Sequence, residues 1–144
     1  MLEVAAVGAE SLSVDEVLAL YESVGWKAYT GDATQLMRAL AGSHRVVAAR
    51  EDERLVGLAR AVSDGASIAY LQDVLVHPEV QRSGVGRLLV DRLFTEYPDV
   101  RQHVLITDAE TGQRAFYEAL GFTEVHDHSP QLRAFVRFDW RMDA

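Results

Sequence analysis

The spacing of apolar and polar residues changes several times along the chain, and each change predicts a different element. A short apolar run at 2–7 predicts a first strand. Two stretches with helical spacing follow, and Ser13 and Asp32 precede them as residue types that cap helix N-termini. Glu16, three residues after Ser13, completes a capping box. The pattern therefore predicts one strand and two helices, the second from Ala33 to Ala41.

The middle of the chain has the spacing and composition of strands. Short polar turns at 51–54 and 63–65 separate three apolar runs. The predicted strands are His44–Arg50, Leu55–Val62 and Ile68–Val76. Consecutive strands joined by short turns are antiparallel, so these three should form one continuous meander.

After the meander, helices and strands alternate. Helical spacing begins at Val85 and stops at Pro98, and His103–Thr107 predicts a short buried strand. A helix is predicted at Thr111–Leu120, and two closing strands at Phe122–His126 and Leu132–Trp140. A helical crossover makes the strand at 103–107 parallel to the strand at 68–76. The predicted fold class is α/β (α+β), a mixed and mostly antiparallel sheet with helices on both faces.

Length, composition and charge limit the class of protein. The chain has 144 residues, of which 49% are hydrophobic and 25% charged, as in a single globular domain spanning 1–144. Its net charge of −8 argues against a general nucleic-acid or anionic-membrane binder, because such partners select basic surfaces. The absence of cysteine excludes disulfides and thiolate chemistry. No signal peptide or apolar run of ~18 residues is present, so a cytoplasmic protein is predicted.

The turn between the meander and the long helix has an unusual sequence, Gln81-Arg82-Ser83-Gly84-Val85-Gly86. Free N–H groups at a helix start, together with the helix dipole, attract anions. Gly84 and Gly86 have no Cβ and permit close approach of a phosphate, while Arg82 and Arg87 add positive charge. The alternative is a tight turn that binds nothing. The turn lacks the lysine of a Walker loop and the third glycine of a dinucleotide fingerprint.

The pattern Gln81-x-x-Gly84-x-Gly86, entered through Val76-x-Pro78, resembles the acetyl-CoA signature of the GNAT N-acetyltransferase superfamily. The sequence AFYEALGF, Ala115–Phe122, is similar to the closing helix of that family and the strand after it. The resemblance covers Leu71–Phe122 and points to a small single-domain member. It implies a GNAT fold whose sheet is splayed at the cofactor site. It also implies an acetyl-CoA-dependent N-acetyltransferase without a metal, in which a primary amine attacks the thioester directly.

The resemblance also implies which residues contact the cofactor. Backbone groups of the strand before the turn would pair with the pantetheine arm, and amides of the turn would hold the pyrophosphate. The implied cofactor-binding residues are Val74, Leu75, Val76, Gln81, Arg82, Ser83, Gly84, Val85, Gly86 and Arg87. The amide of Val74 is the implied donor to the thioester oxygen. Glu110 stands where many relatives carry an Asn that contacts the cofactor.

Two residues are candidates for catalysis. Tyr117 matches the family's Tyr that faces the CoA sulfur, and a phenol can stay protonated and donate to a thiolate. Its alternative role is that of a core aromatic. Asp73 interrupts an apolar strand, so it either takes the proton of the acceptor amine or is a structural acid that holds the splayed strand.

Several features leave the acceptor and the partners open. The acceptor is a small-molecule amine, a Lys side chain or an N-terminal amine, and Trp26 and Tyr29 either stack on it or pack in the core. His126-x-His128 lacks a third metal ligand, so no metal is expected. The apolar C-terminal strand suggests a homodimer, whereas no nucleic-acid or membrane partner is expected. The competing functions are a non-catalytic acyl-CoA-binding module and an interaction subunit acting through that strand.

Overall fold

The computed structural model describes residues 1–139, which divide into two compact units. The first unit ends at Ile106, and the second begins at Thr107. The first contains β1 (Leu2–Val7), α1 (Val14–Ser23), α2 (Lys27–Thr30), α3 (Ala33–Gly42), β2 (Arg45–Glu51), β3 (Arg54–Ser63), β4 (Ile68–Val76), α4 (Val85–Phe94) and β5 (Gln102–Leu105). The second contains α5 (Thr111–Ala119) and a 3-10 turn at Val125–Asp127.

The predicted helix starts are confirmed at the level of single hydrogen bonds. Ser13 Oγ accepts the Glu16 N–H at 3.2 Å, and the Glu16 carboxylate accepts the Ser13 N–H at 2.8 Å. Asp32 accepts the Gln35 N–H at 3.0 Å at the start of α3. These side chains satisfy N–H groups that have no acceptor within the helix.

One five-stranded sheet in the order β1-β2-β3-β4-β5 organises the first unit. Its first three pairings are antiparallel, and β4 pairs with β5 in parallel. The predicted mixed, mostly antiparallel sheet is therefore confirmed. The parallel pair follows from α4, which carries the chain back across the sheet between β4 and β5.

Helices cover both faces of this sheet. At Gly57 in β3, an added Cβ would lie 3.0 Å from Leu89 Cδ1 of α4, so α4 packs closely on that face. The next residue, Leu58, points to the other face because side chains alternate along a strand. There it belongs to a buried cluster with residues of α1 and α3, including Leu20 and Leu40. The hydrophobic effect of burying these side chains holds the helices against the sheet.

The two closing strands predicted at Phe122–His126 and Leu132–Trp140 do not form within residues 1–139; Trp140 lies outside the described residues. Arg114 on α5 binds Glu124 at 3.1 Å and Asp127 at 2.6 Å, and these contacts hold the first segment in a 3-10 turn. In the second segment Phe135 is 86% exposed. An alternating apolar pattern becomes a strand only where another strand pairs with it. Over 1–139, no helix is long and apolar enough to cross a membrane.

Candidate active site

The pairing of β4 changes halfway along the strand. From Ile68 to Leu71 it lies between β3 and β5, and the parallel pairing ends where Leu71 faces Leu105. Pairing with β3 continues as far as Val76, which faces Gly57. Residues 72–76 therefore have one edge that pairs with no other strand in the described part of the chain. We call this the open edge of β4.

A β-bulge marks the point where the open edge begins. Arg60 faces Asp73 and Ala61 faces Leu71, so Gln72 is an extra residue on β4. A bulge bends its strand and increases the local twist. The bulge at Gln72 coincides with the point where the pairing of β4 with β5 ends.

The hydrogen bonds beyond the bulge decide which backbone groups face the open edge. The His77 N–H donates to Val56 O of β3 at 2.8 Å. Because backbone groups alternate sides along a strand, those of Val74 and Val76 point away from β3. Leu75 directs its backbone toward β3 and its side chain into the core. Of the three strand residues predicted to bind the cofactor, Val74 and Val76 thus present backbone groups at the open edge, whereas Leu75 does not.

The turn after β4 brings the start of α4 to the same end of the strand. Gln81 Nε2 donates to Val76 O at 3.0 Å and ties the turn to the open edge. Gly84 caps α4 with a φ of +87°, and no atom lies within 4 Å of the position a Cβ would take. Leu88 is the first residue of α4 whose N–H bonds within the helix, to Gly84 O at 3.1 Å.

The N–H groups of the first helical turn are free to bind a ligand. They belong to Val85, Gly86 and Arg87, and they have no acceptor within the helix. The Val85 side chain is buried and fixes the turn on the sheet, whereas Arg82 is exposed and Arg87 pairs with Asp91 at 3.6 Å. Such a turn, positive and open to approach, fits a phosphate group.

Asp73, next to the bulge residue Gln72, is the centre of a buried polar cluster. Its Oδ2 accepts hydrogen bonds from Arg60 Nε at 2.6 Å and from the Tyr21 hydroxyl at 3.0 Å. Its Oδ1 accepts one from the Tyr29 hydroxyl at 2.9 Å. We call Asp73, Arg60, Tyr21 and Tyr29 the Asp73 cluster. Three donors on two oxygens leave this carboxylate well satisfied.

Burial and charge fix the protonation of the groups around Asp73. Burial raises the pKa of Tyr21 and of Tyr29, and the negative charge of Asp73 raises both further. Burial alone would lower the pKa of Arg60, but the neighbouring Asp73 carboxylate raises it above the ordinary value. Both phenols and the guanidinium therefore keep their protons at neutral pH and act as donors.

Aromatic packing joins the connection between α1 and α3 to this cluster. Tyr29 lies on α2, with its ring centroid 5.1 Å from that of Tyr21 and 6.1 Å from that of Trp26. Its hydroxyl also accepts a hydrogen bond from Gln72 Nε2, the bulge residue, at 3.3 Å. Trp26 and Tyr29 are both partly exposed residues that pack against the hydrophobic core.

In the second unit, Tyr117 lies on α5 and is partly buried. Its ring packs edge-on against Phe122, at 5.8 Å between centroids. Burial raises the pKa of Tyr117, and the charge of Asp108 raises it further. The phenol is therefore protonated at neutral pH. Gly121 follows α5 in the left-handed region, with a φ of +94°.

The remaining predicted residues of this unit do not converge on one point. Glu110 precedes α5, and its side chain makes no capping bond. His126 lies 3.3 Å from Glu124, whereas His128 contacts Pro130 O at 2.8 Å. Within residues 1–139, no group of three or more His, Asp or Glu side chains could hold a metal ion.

Comparison with known proteins identifies the family. A model described as an acetyltransferase (GNAT) domain matches residues 17–139. The chain belongs to this GNAT family. The predicted resemblance is thus confirmed, and the match runs through both units.

Individual GNAT relatives agree with this assignment. The chain is 28% identical over 122 residues to "Uncharacterized N-acetyltransferase ycf52" of Pyropia yezoensis, covering 82% of this chain and 69% of that protein. A solved GNAT acetyltransferase of Streptococcus pneumoniae TIGR4 superposes with a TM-score of 0.78 at 27% identity, covering 95% of this chain and 98% of that chain. A third relative is named PanD regulatory factor, from Salmonella typhimurium, with 35% identity over 88 residues, 59% of this chain and 68% of that protein.

Sequence reasoning found the GNAT turn but missed the partners of Asp73. Arg60 lies in an apolar run, and that isolated charge was the available signal. Tyr21 has the spacing of the apolar stripe of α1, which is typical of an ordinary core residue. Its hydroxyl partner lies 52 residues away, and no local pattern shows such a contact.

Proposed function

We propose that this GNAT protein transfers an acetyl group from acetyl-CoA to a primary amine. One observation carries the proposal: the open edge of β4 and the free amides at the start of α4 lie at the two ends of one short turn. The first suits an extended amide-bearing chain, which can add to a sheet edge as a strand does. The second suits a diphosphate. CoA carries both groups in succession, and GNAT acetyltransferases use acyl-CoA.

The fit assigns distinct tasks to the residues of the first unit. The backbone groups of Val74 and the N–H of Val76 would bind the pantetheine arm, and the N–H groups of Val85, Gly86 and Arg87 would bind the pyrophosphate. The Val74 N–H would also donate to the thioester oxygen as negative charge develops there, which is a large source of rate acceleration in acyl transfer.

The chemistry forms an N–C bond and breaks a C–S bond. The amine loses a proton to solvent, and the leaving sulfur takes one from an acid. We propose Tyr117 as that acid, on the basis that 115–122 matches the closing helix of the family. The phenol is protonated at neutral pH, so it holds a proton that it can donate. The family match at residues 17–139 includes Tyr117.

For Asp73, the arrangement favours the strand-holding role over that of a base. A base needs a lone pair that faces the amine. Both oxygens of Asp73 accept hydrogen bonds inside the cluster, and the Arg60 guanidinium lies 2.6 Å away. We therefore assign the proton of the amine to solvent.

We place the acceptor beside Trp26 and Tyr29. The Tyr29 hydroxyl accepts from Gln72 at the start of the open edge, so its ring lies next to the proposed reaction site. Partly exposed aromatic rings can pack on the body of an amine or face its cation. Small-molecule amines, Lys side chains and N-terminal amines all fit this description.

The test is a search for amine-dependent release of CoA. The protein is incubated with acetyl-CoA and a panel of small amines, Lys peptides and free N-terminal peptides. Free thiol is measured, and mass spectrometry identifies acetylated products. Acetylated amine together with CoA release is expected. Acetyl-CoA binding without turnover on any acceptor would contradict catalysis.

That second outcome defines the alternative function, a non-catalytic acyl-CoA-binding module. The match to a relative named as a regulatory factor is the observation that favours it. A module of this kind would bind acetyl-CoA and change the behaviour of a partner protein without consuming the thioester.

A further inference from the structure

Arg60 and Asp73 form an ion pair where the open edge of β4 begins. They face each other across β3 and β4, next to the bulge at Gln72. Their side chains are 7% and 3% exposed, and Arg60 Nε lies 2.6 Å from Asp73 Oδ2. Burying two charges carries a large desolvation penalty, and such a pair is often no more stabilising than a packed apolar pair. Stability alone therefore gives little reason for charges at this position.

The contacts of the pair converge on the bulge. Arg60 also reaches Ser43 Oγ at 3.3 Å and the Tyr29 hydroxyl at 3.4 Å. The same hydroxyl donates to Asp73 and accepts from Gln72. The planar fork of one arginine thus connects β3, α2 and the end of α3 around the extra residue of β4.

The bulge determines which way the backbone of the open edge points. Ala61 faces Leu71 before it, and Arg60 faces Asp73 after it. A shift of one residue along a strand sends every backbone and side-chain group to the opposite side. Without the extra residue, the groups of Val74 would point toward β3 instead of the open edge. Whatever holds the bulge in place therefore aims the Val74 N–H.

We propose that Arg60 is a positioning residue for acyl transfer: its pair with Asp73 holds the bulge at Gln72 and so directs the Val74 N–H to the thioester. The inference rests on the proposed function for the identity of the ligand. The direction of the Val74 backbone groups depends only on how β3 pairs with β4, and it can be measured without a ligand.

The first experiment separates this role from stability. Arg60→Met and Asp73→Asn each leave one buried charge uncompensated, so each should lower Tm by about 10 °C or more. The double variant contains neither charge and should recover most of that loss. Its single-turnover acetyl transfer should still be about 10- to 100-fold slower than wild type, because the cross-strand contact is gone. Recovery of both Tm and rate would overturn the proposal.

The second experiment uses a variant that keeps the charge. Arg60→Lys preserves the cation but removes the fork that contacts three side chains. We expect a Tm within a few degrees of wild type and a rate about tenfold lower. The matched control is Arg50→Lys, since Arg50 is likewise bound to a carboxylate, Glu16, at 2.8 Å but lies on β2. Its rate should be unchanged. A wild-type rate in Arg60→Lys would overturn the proposal.

Amide hydrogen exchange distinguishes failure of this inference from failure of the proposed function. In Arg60→Lys, exchange at Asp73 and Leu75, whose backbone groups point toward β3, should quicken by about tenfold, while amides of β1 and β2 keep their wild-type rates. This readout needs neither CoA nor an acceptor. If wild type transfers no acetyl group but the exchange changes as expected, the proposed function fails and the positioning of β4 stands. Unchanged exchange at Asp73 and Leu75 overturns the positioning, whatever the activity.

Discussion

The two halves of β4 differ in what holds their backbone. Residues 68–71 lie between two strands, whereas residues 72–76 lie beside one. In the first half, pairing with a strand on each side holds the backbone. In the second half, where one strand pairs with β4, hydrogen bonds of the Asp73 cluster and of the Gln81 side chain help to hold the backbone. Side chains can therefore hold a strand in place while leaving one backbone edge free for a ligand.

The largest effect should come from blocking the space at Gly84, in the turn between the open edge of β4 and α4. Gly84→Val places a branched side chain at a φ of +87°, where L-residues are strained, and in the space next to the α4 amides. CoA affinity should fall by more than about 100-fold, while the fold remains. Calorimetric titration measures the affinity.

Gly25→Val is the matched control for this change. Gly25 also has a positive φ, +76°, and no atom within 4 Å of its Cβ position. The same strain should then arise away from the turn, with CoA affinity unchanged. Equal losses in both variants would mean that strain, and not the phosphate site, explains the result.

A second large effect should come from removing the proposed acid, the Tyr117 hydroxyl. Tyr117→Phe removes one hydroxyl and keeps the ring, so stability should change by no more than ~1 kcal/mol. Single-turnover transfer should fall about 100-fold, because the leaving thiolate loses its proton donor. Rapid-quench kinetics measures the step without interference from product release.

Tyr97→Phe serves as the control for Tyr117→Phe. It removes a hydroxyl of the first unit that contacts His44 Nδ1 at 3.0 Å. Its rate should equal that of wild type. A wild-type rate in Tyr117→Phe as well would reduce Tyr117 to a packing residue.

The contrast between the halves of β4 also marks the limit of sequence reasoning. Local patterns predicted the meander, the helix caps and the Gln81–Gly86 turn, because each depends on neighbours in the sequence. The bulge at Gln72 depends on Arg60, Tyr21 and Tyr29, which lie on three other elements. The closing strands were wrong because an alternating pattern cannot report whether a pairing edge exists.

A smaller effect on CoA affinity should follow from removing the hydrogen bond between the Gln81 side chain and the open edge. Gln81→Ala removes the hydrogen bond to Val76 O, which is neutral and exposed. CoA affinity should fall only about 3- to 10-fold, in keeping with the net value of one such bond. Gln35→Ala on α3 should leave it unchanged in the same titration. A loss as large as that of Gly84→Val would mean that Gln81 contacts the ligand itself.

The smallest effect concerns the turn before the doubly paired half. Hydrogen bonds from the Ser67 hydroxyl and from the N–H groups of Ser67, Ala66 and Ile68 hold the pKa of Asp64 well below its usual range. A depressed folded-state pKa contributes stability that is present above the unfolded-state value of ~3.9 and lost as pH falls below it. The Tm of wild type should therefore decrease as the pH is lowered below ~4, and the Tm of Asp64→Asn should decrease less steeply with pH. Equal slopes would contradict this.

The most direct test of the account is acetyl-CoA binding to the wild-type protein, measured by thermal unfolding and by the NMR resonances of the backbone amides. We expect binding that adds ~2.7 kcal/mol to stability at 100 times the Kd. We also expect it to shift the amide resonances of Val74, Val76 and Val85 to Arg87, and to leave β1 unchanged. No binding at millimolar acetyl-CoA, or binding that leaves those five amides unmoved, would contradict the assignment of the open edge and the α4 turn as the cofactor site.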